Sequence, residues 1–232
     1  MTGDGRIGLN VDPEVDIDLK VNGTVKANKF IGDGSNITAE QLDVPQTNEV
    51  TFEKAKKLKQ IADKAGIEFF CSAFYPEAIQ FLEKLKVKRY KIASRTCLQK
   101  DPFSSETLHA KSNTRKPVII SMGMGGNRKN IEKIFSKNKK TFCYCISEYP
   151  TKIQKINWKN AIKYDGFSDH TLGITAPVIF AMLKKQQNSK NIIIEKHVKL
   201  SNSKGPDASS SITTEELSQL VSSIRQIEKL KI

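Results

Sequence analysis

The sequence predicts an α/β fold: about six β/α units of an incomplete (β/α)8 TIM-type barrel, preceded by a small β-hairpin segment. Three observations support it. From residue 51 onward, amphipathic helical patterns alternate with short apolar runs, polar residues follow most of those runs, and the first fifty residues show an alternating β pattern instead. In such barrels the carboxyl ends of the strands form the active site, so polar residues at those positions indicate chemistry.

The N-terminal segment has the pattern of extended structure. Apolar and polar residues alternate from residue 15 to 21, Asn22-Gly23 is a type I′ hairpin signal, and residues 25–31 resume the extended pattern. Residues 6–38 resemble repeats of phage tail-fibre proteins. We therefore divide the chain into a tail-fibre-like hairpin segment with its linker, residues 1–45, and a barrel-like domain, residues 46–232.

Helices and strands alternate through the rest of the chain. The first predicted helix has an apolar face from Phe52 to Ala65, and Gly66 ends the helix. The last predicted helix begins with a capping box formed by Thr213 and Glu216. The predicted strands are 67–70, 89–93, 118–121, 142–146, 166–168 and 192–195. The other predicted helices are 76–85, 130–135, 153–162 and 174–183, with a less regular connection between 93 and 118.

Six predicted strands do not close a barrel of eight. An open remnant would expose two sheet edges and an apolar interior, which folded domains avoid. Three outcomes therefore stay open: the hairpin fills the gap, a second chain supplies the missing strands, or the domain is poorly stable.

The positive charge is unevenly distributed. The chain carries 38 Lys and Arg against 25 Asp and Glu, yet residues 1–50 hold 4 against 9 and residues 51–232 hold 34 against 16. The excess is mostly lysine scattered on helical segments, without arginine clusters or interleaved aromatic residues. This pattern favours solvated helix faces over nucleic-acid binding, and attraction of an anionic substrate is the alternative.

Apolar stretches are too short to span a bilayer, and the first residues lack the pattern of a signal peptide. We therefore expect a cytoplasmic protein that binds no membrane. The four cysteines agree with a reducing location: Cys143 and Cys145 share one strand face, while Cys71 and Cys97 are isolated. Buried, reduced thiols are favoured over a metal site.

Two histidines follow or end neighbouring predicted strands. They lie in Phe-Ser-Asp-His-Thr-Leu-Gly at 167–173 and in Ile-Glu-Lys-His at 194–197, and Gly-Pro-Asp follows at 205–207. Imidazoles from adjacent strand ends can share one divalent cation and leave open positions for substrate.

These segments resemble motifs of the nonulosonic (sialic) acid synthase family. Three upstream segments match in the same order: Tyr-Lys-Ile-Ala-Ser at 90–94, Lys-Pro-Val-Ile-Ile-Ser-Met-Gly-Met at 116–124 and Cys-Ile-Ser-Glu-Tyr-Pro at 145–150. The resemblance covers roughly residues 51–232, the C-terminal three quarters of the family's barrel. Nothing before residue 51 matches the family's first two β/α units, which carry an acidic residue and a lysine used at its active site.

The resemblance implies a transferase that condenses phosphoenolpyruvate with an N-acylated amino sugar to give a nonulosonic acid. It implies His170 and His197 as ligands of Mn²⁺ or Mg²⁺, and it leaves the catalytic residues unknown. The implied substrate-binding residues are Ser72, Lys91, Ser94, Ser147, Tyr149, Ser168 and Asp207. A structural role is the alternative for the serines, as helix caps, and for Lys91, as a lysine extending to the strand end.

Four further positions bear on activity. Asp169 and Glu195 are candidate partners for the histidine ring protons. Thr96 stands where the family commonly has glutamate, and Met122 replaces a threonine. We therefore expect impaired activity. The alternatives are a non-catalytic sugar-binding or structural module fused to the fibre-like segment, and a nonfunctional fusion product. The sugar and the oligomeric state, a homo-oligomer or a second chain completing the barrel, stay open.

Overall fold

Parallel strands joined by helices form one curled sheet in the computed structural model, which describes residues 6–10, 50–202 and 207–232. The strands are β1 Arg6–Asn10, β2 Tyr90–Ile92, β3 Val118–Ser121, β4 Lys140–Cys145, β5 Gly166–Asp169 and β6 Ile193–His197. They hydrogen-bond in the order β1-β6-β5-β4-β3-β2. Strands β2 to β6 run in chain order and make a parallel five-stranded half-barrel.

The helices connect successive strands. They are α1 Phe52–Lys64, α2 Pro76–Lys84, α3 Ser94–Cys97, α4 Ser104–Asn113, α5 Arg128–Ile134, α6 Trp158–Ala161, α7 Thr175–Gln186 and α8 Thr214–Lys229. The predicted capping box before α8 is present, with the Thr213 hydroxyl and the Glu216 carboxylate each bonded to the other residue's backbone N–H. The predicted helix at 153–162 is instead a 3₁₀ turn, Ile153–Lys155, followed by α6. Helices α3 and α4 occupy the connection that the sequence left irregular.

The core lies on both faces of the sheet, so most residues of the described strands β2 to β6 are buried. Every residue of β2, β3, β5 and β6 is buried. Phe167 of β5 stacks on Phe180 of α7 with ring centroids 5.2 Å apart. A side chain at Gly166 would place its Cβ 2.4 Å from Cys143 Sγ, so glycine is required where β4 and β5 approach. Burial on both faces is typical of parallel strands covered by helices.

The predicted strand at 67–70 is wrong. Phe69 and Phe70 are buried as expected, but the run has no regular strand geometry. In the described part of the chain, its backbone link to β2 is one hydrogen bond, from Lys91 N to Cys71 O at 3.5 Å. That length is beyond the usual range for an N–H···O bond, so the apolar run packs without forming a ladder.

The N-terminal residues contribute a strand that the sequence did not indicate. Strand β1 pairs with β6 in parallel, with Arg6 opposite Ile193 and Asn10 opposite His197. The predicted hairpin at residues 15–31 lies outside the described residues, and the domain boundary near residue 45 stays a prediction. Among the described helices, none combines the length and the apolar character needed to cross a membrane.

A buried ion pair joins β5 to β6. Lys196 Nζ lies 2.7 Å from an Asp169 carboxylate oxygen, and both side chains are fully buried. The same carboxylate accepts hydrogen bonds from the backbone N–H and the hydroxyl of Thr171, and Lys196 also donates to the Thr171 carbonyl. Burial lowers the pKa of Lys196, although the charge of Asp169 opposes that effect. The pair therefore fixes the turn that follows β5.

We expect Asp169→Asn and Lys196→Met each to lower the free energy of unfolding by about 3–5 kcal/mol, because each leaves one buried charge without its partner. The double variant should lose less than the sum, since it removes both charges. Urea denaturation measures all three. Glu132→Gln, in an exposed helix pair with Arg128, is the control and should cost less than about 0.5 kcal/mol. Additive losses would show that the two charges do not stabilise each other.

Candidate active site

Both predicted metal ligands lie at the carboxyl end of the sheet. His170 follows β5, His197 ends β6, and both are buried, with 5% and 2% of their surface exposed. Their ring centroids are 5.2 Å apart. Two imidazoles that bind one cation through nitrogens at about 2.1 Å have centroids about 4.6–5.3 Å apart at ordinary ligand angles. The spacing fits a shared divalent cation.

A hydrogen bond to a backbone carbonyl shows which nitrogen of His170 is protonated. His170 Nδ1 lies 2.7 Å from the Ile146 carbonyl, which only accepts, so Nδ1 carries a proton. His197 Nδ1 lies 3.6 Å from the Asp207 carboxylate. A carbonyl bonded to one ring nitrogen is a usual arrangement for a metal-binding histidine, and at His170 it leaves Nε2 as the candidate ligand atom. The separation of His197 from Asp207 is longer than a hydrogen bond, so Asp207 is a close neighbour of that ring.

Cys145 is a neighbour of His170 that the sequence analysis did not select. Burial lowers the pKa of His170, but the hydrogen bond and charge of Cys145 outweigh burial and leave that pKa raised. Burial raises the pKa of Cys145, but His170 and Lys91 outweigh it and leave the thiol pKa lowered. Because a cation binds only an unprotonated ring nitrogen, the raised pKa of His170 would make metal binding weaken as the pH falls.

The described residues contain no cluster of three or more His, Cys, Asp and Glu side chains arranged to hold a metal. His170 and His197 are the two candidate donors at this site. Such a set leaves several coordination positions for water and substrate, which suits a catalytic cation better than a structural one.

Lys91 forms the second part of the site. Its ammonium is buried and lies 2.6 Å from Ser121 Oγ and 3.1 Å from a Glu195 carboxylate oxygen. The Ser121 hydroxyl also lies 3.4 Å from that carboxylate. Burial lowers the pKa of Lys91, but Glu195 together with the charges of Cys143 and Cys145 outweighs burial and leaves that pKa raised. The ammonium therefore stays charged and is available to an anion.

Ser121 was not among the predicted site residues, although it ends an apolar strand within the quoted 116–124 segment. A hydroxyl at the carboxyl end of a buried strand was the signal for it. The same signal led to the prediction of Ser168, which is buried near the end of β5 and pairs in register with Cys145 on one side and Glu195 on the other.

Hydroxyl and thiol groups line the region between the ammonium and the imidazoles. Ser94 Oγ accepts a hydrogen bond from Gly123 N at 3.0 Å and lies 3.7 Å from Cys145 Sγ. Ser147 Oγ is 3.9 Å from the same sulfur. A Cβ at Gly123 would lie 2.6 Å from Ser147 Oγ, so this close packing requires glycine.

Tyr149 covers the two histidines. Its ring centroid lies 4.1 Å from that of His170 and 5.7 Å from that of His197, and 44% of the residue is exposed. Burial of the hydroxyl raises its pKa, and the nearby negative groups add to the rise. A neutral phenol at the open side of the site can donate a hydrogen bond to a ligand.

Three expectations are modified by the structure. Asp169 pairs with Lys196, and Glu195 pairs with Lys91, so each of these carboxylates has a lysine partner that the sequence did not indicate. Ser72 follows the irregular 67–71 run, is half-buried, and makes no described side-chain hydrogen bond. Thr96 is buried, and within the described residues its hydroxyl has no hydrogen-bond partner.

Comparison with known proteins places this geometry in a family. The NeuB family model matches residues 18–231. An uncharacterized protein of Methanocaldococcus jannaschii is 34% identical over 83% of this chain and 58% of its own length. The N,N′-diacetyllegionaminic acid synthase of Legionella pneumophila is 29% identical over 91% of this chain and 61% of its own. The chain thus spans about three fifths of these relatives.

A solved structure agrees. The N-acetylneuraminic acid synthetase of Leptospira borgpetersenii superposes with a TM-score of 0.67 and 26% identity, covering 78% of this chain and 64% of that one. The family match begins well before residue 51, where the helix and strand alternation starts. Because that match includes most of the chain, and because the half-barrel and the motif order agree with it, the chain belongs to the NeuB family.

Proposed function

We propose that this chain is a nonulosonic acid synthase-like transferase that acts on phosphoenolpyruvate and an N-acylated amino sugar. One observation carries the proposal: a buried ammonium, bonded to the Ser121 hydroxyl and the Glu195 carboxylate, lies at the same edge of the sheet as a pair of imidazoles spaced for one cation. The ammonium is suited to binding an anion, and a cation held by the imidazoles is suited to polarising a carbonyl. The proposed reaction needs an anchored anion and a polarised carbonyl.

Lys91 is the proposed anchor for phosphoenolpyruvate. Its ammonium, with the hydroxyls of Ser94 and Ser121, offers charged and neutral donors to a phosphate or carboxylate. Ser72, Ser147 and Ser168 are proposed to add further donors. Glu195 offsets the charge of Lys91 in the absence of ligand, so an incoming anion competes with that carboxylate.

The imidazoles and their neighbours are the proposed sugar side. A divalent cation, Mn²⁺ or Mg²⁺, would supply Lewis-acid polarisation of the sugar aldehyde. His170 and His197 hold its position, Tyr149 shields them, and Asp207 lies beside His197. Tyr149 and Asp207 are also proposed to contact sugar hydroxyls, since both lie at the open side of the histidine pair.

Turnover is proposed to be slow, because Thr96 stands where the resemblance implies a glutamate. A threonine hydroxyl does not take up a proton at neutral pH, so it cannot replace a carboxylate in proton transfer. The same observation favours the alternative, a module that binds the sugar without converting it. Cytoplasmic location, a fibre-like N-terminal segment and a second chain that completes the barrel stay predictions.

Manganese should raise the thermal midpoint of the wild type. Ligand at 100 times its Kd contributes about 2.7 kcal/mol, which for a domain of this size is a rise of several degrees. His197→Ala removes half the protein ligands and should abolish the rise. His109→Ala, a change of an exposed histidine away from the site, is the control and should keep it. A full manganese effect in His197→Ala would contradict the ligand assignment.

Loss of the Lys91 charge should weaken phosphoenolpyruvate binding by about 10- to 150-fold, the equivalent of one charged hydrogen bond. The variant is Lys91→Met combined with Glu195→Gln, so that no carboxylate is left buried without its partner. Isothermal titration calorimetry gives the affinity. Lys56→Met, a change of an exposed lysine on α1, removes the same charge from the surface and should leave affinity unchanged. An equal loss of phosphoenolpyruvate affinity in the Lys91 and Lys56 variants would indicate that Lys91 acts only through long-range attraction of the anion.

Given manganese, phosphoenolpyruvate and N-acetylmannosamine or a bacillosamine-type sugar, the chain should release phosphate at least about 100-fold more slowly than the Legionella relative. General acid-base catalysis typically contributes that much or more. A phosphate assay with product mass measures the rate, and the relative assayed in parallel is the control. Comparable rates would contradict this prediction and would show that another group replaces the glutamate in proton transfer. A bound sugar without any product would support the non-catalytic alternative.

A further inference from the structure

Lys111 of α4 is a buried lysine that lies outside the pair of histidines and the Lys91 cluster. Its surface is 0% exposed, and its ammonium donates to the Ala73 carbonyl at 2.7 Å and to the Lys91 carbonyl at 3.1 Å. Both acceptors are neutral backbone groups. Burial and, to a smaller extent, the charge of Lys91 lower the pKa of Lys111, Cys97 and Cys71 oppose them, and the net pKa is about 7.

Such a group is costly to bury. An ammonium taken from water into the core, with carbonyls as its acceptors, is held less well than in water or beside a carboxylate. A leucine or methionine on the same helix face would pack at lower cost. Because burying this ammonium costs free energy, a role for its two hydrogen bonds is expected.

The two carbonyls belong to chain segments that are otherwise weakly joined. Segment 67–71 forms no ladder with β2, and the described backbone link between them is the 3.5 Å bond from Lys91 N to Cys71 O. Ala73 follows Ser72 directly, and the second carbonyl is that of Lys91 itself. Lys111 therefore bridges these segments beside the two residues proposed to hold the anion.

We propose that Lys111 is a positioning residue of the anion subsite. By holding the backbone at Ala73 and at Lys91, it sets the distance between the Ser72 hydroxyl and the Lys91 ammonium. The inference rests on the proposed function, since it assigns Lys111 a part in phosphoenolpyruvate binding. Lys111 need not touch the ligand, because its effect passes through the two carbonyls.

A matched control exists in the same molecule. Lys184 of α7 is also buried and donates to a backbone carbonyl, that of Ile162 at 3.1 Å, and burial lowers its pKa as well. Ile162 precedes β5, so this bridge lies at the amino end of the sheet, opposite the site. Loss of either bridge removes the same kind of interaction, but only Lys111 borders the anion subsite.

The experiment compares Lys111→Met with Lys184→Met in the full chain. Thermal midpoints, the Kd for phosphoenolpyruvate and the manganese-induced midpoint rise are measured for both variants and the wild type. We expect both midpoints to fall. Phosphoenolpyruvate affinity should weaken at least about tenfold in Lys111→Met, because small displacements of binding groups have large effects, and less than twofold in Lys184→Met. The manganese rise should persist in both, since the histidines lie on β5 and β6.

Three results would overturn the inference. Unchanged phosphoenolpyruvate affinity in folded Lys111→Met would leave the proposed function standing and reduce Lys111 to a stabilising contact. Simultaneous loss of the manganese rise would show general damage to the site. Absence of phosphoenolpyruvate binding in the wild type would remove the proposed function, and this inference with it. If Lys111→Met does not fold, Lys111→Gln, which keeps an N–H donor, allows the same comparison.

Discussion

Parallel register across β3, β4, β5 and β6 is the constraint on which the site depends. Parallel pairing in this register brings the carboxyl ends of these strands to one edge of the sheet. The last residues of the four strands are Ser121, Cys145, Asp169 and His197. A shift of one residue in any pair would turn every following side chain to the opposite face. Close approach at Gly166 and the ion pair between β5 and β6 both act to keep that register.

Lysine has two different roles in this chain. Many lysines are exposed on helices, as the scattered charge indicated. Lys91, Lys111 and Lys196 are instead buried, with a carboxylate, a pair of carbonyls, or both as partners. Composition cannot separate these roles, because a buried lysine differs from an exposed one only through partners from distant parts of the sequence. Its long aliphatic stem also lets it occupy an apolar helix face.

Much of the fold and the pair of histidines follow from local patterns. The helical faces around α1 and α7 and the apolar runs of β3 to β6 are short-range signals, and the structure confirms them. Strand formation at 67–70 was wrong because hydrophobicity predicts burial, whereas a ladder needs a partner at hydrogen-bonding distance. The lysine partners of Asp169 and Glu195 were not predicted, because strand order and register decide which strand-end residues meet, and local patterns do not show either.

Strand β6 lies between β5 and β1, so the strand that ends in His197 is flanked by residues 166–169 and by residues 6–10, which are far apart in the sequence. Contacts between such distant residues carry a large loop-closure entropy and form late in folding. The remainder of the half-barrel can assemble from neighbouring β/α units as each is made. We therefore expect strand β1 to join the sheet late, so that the edge beside His197 is completed last.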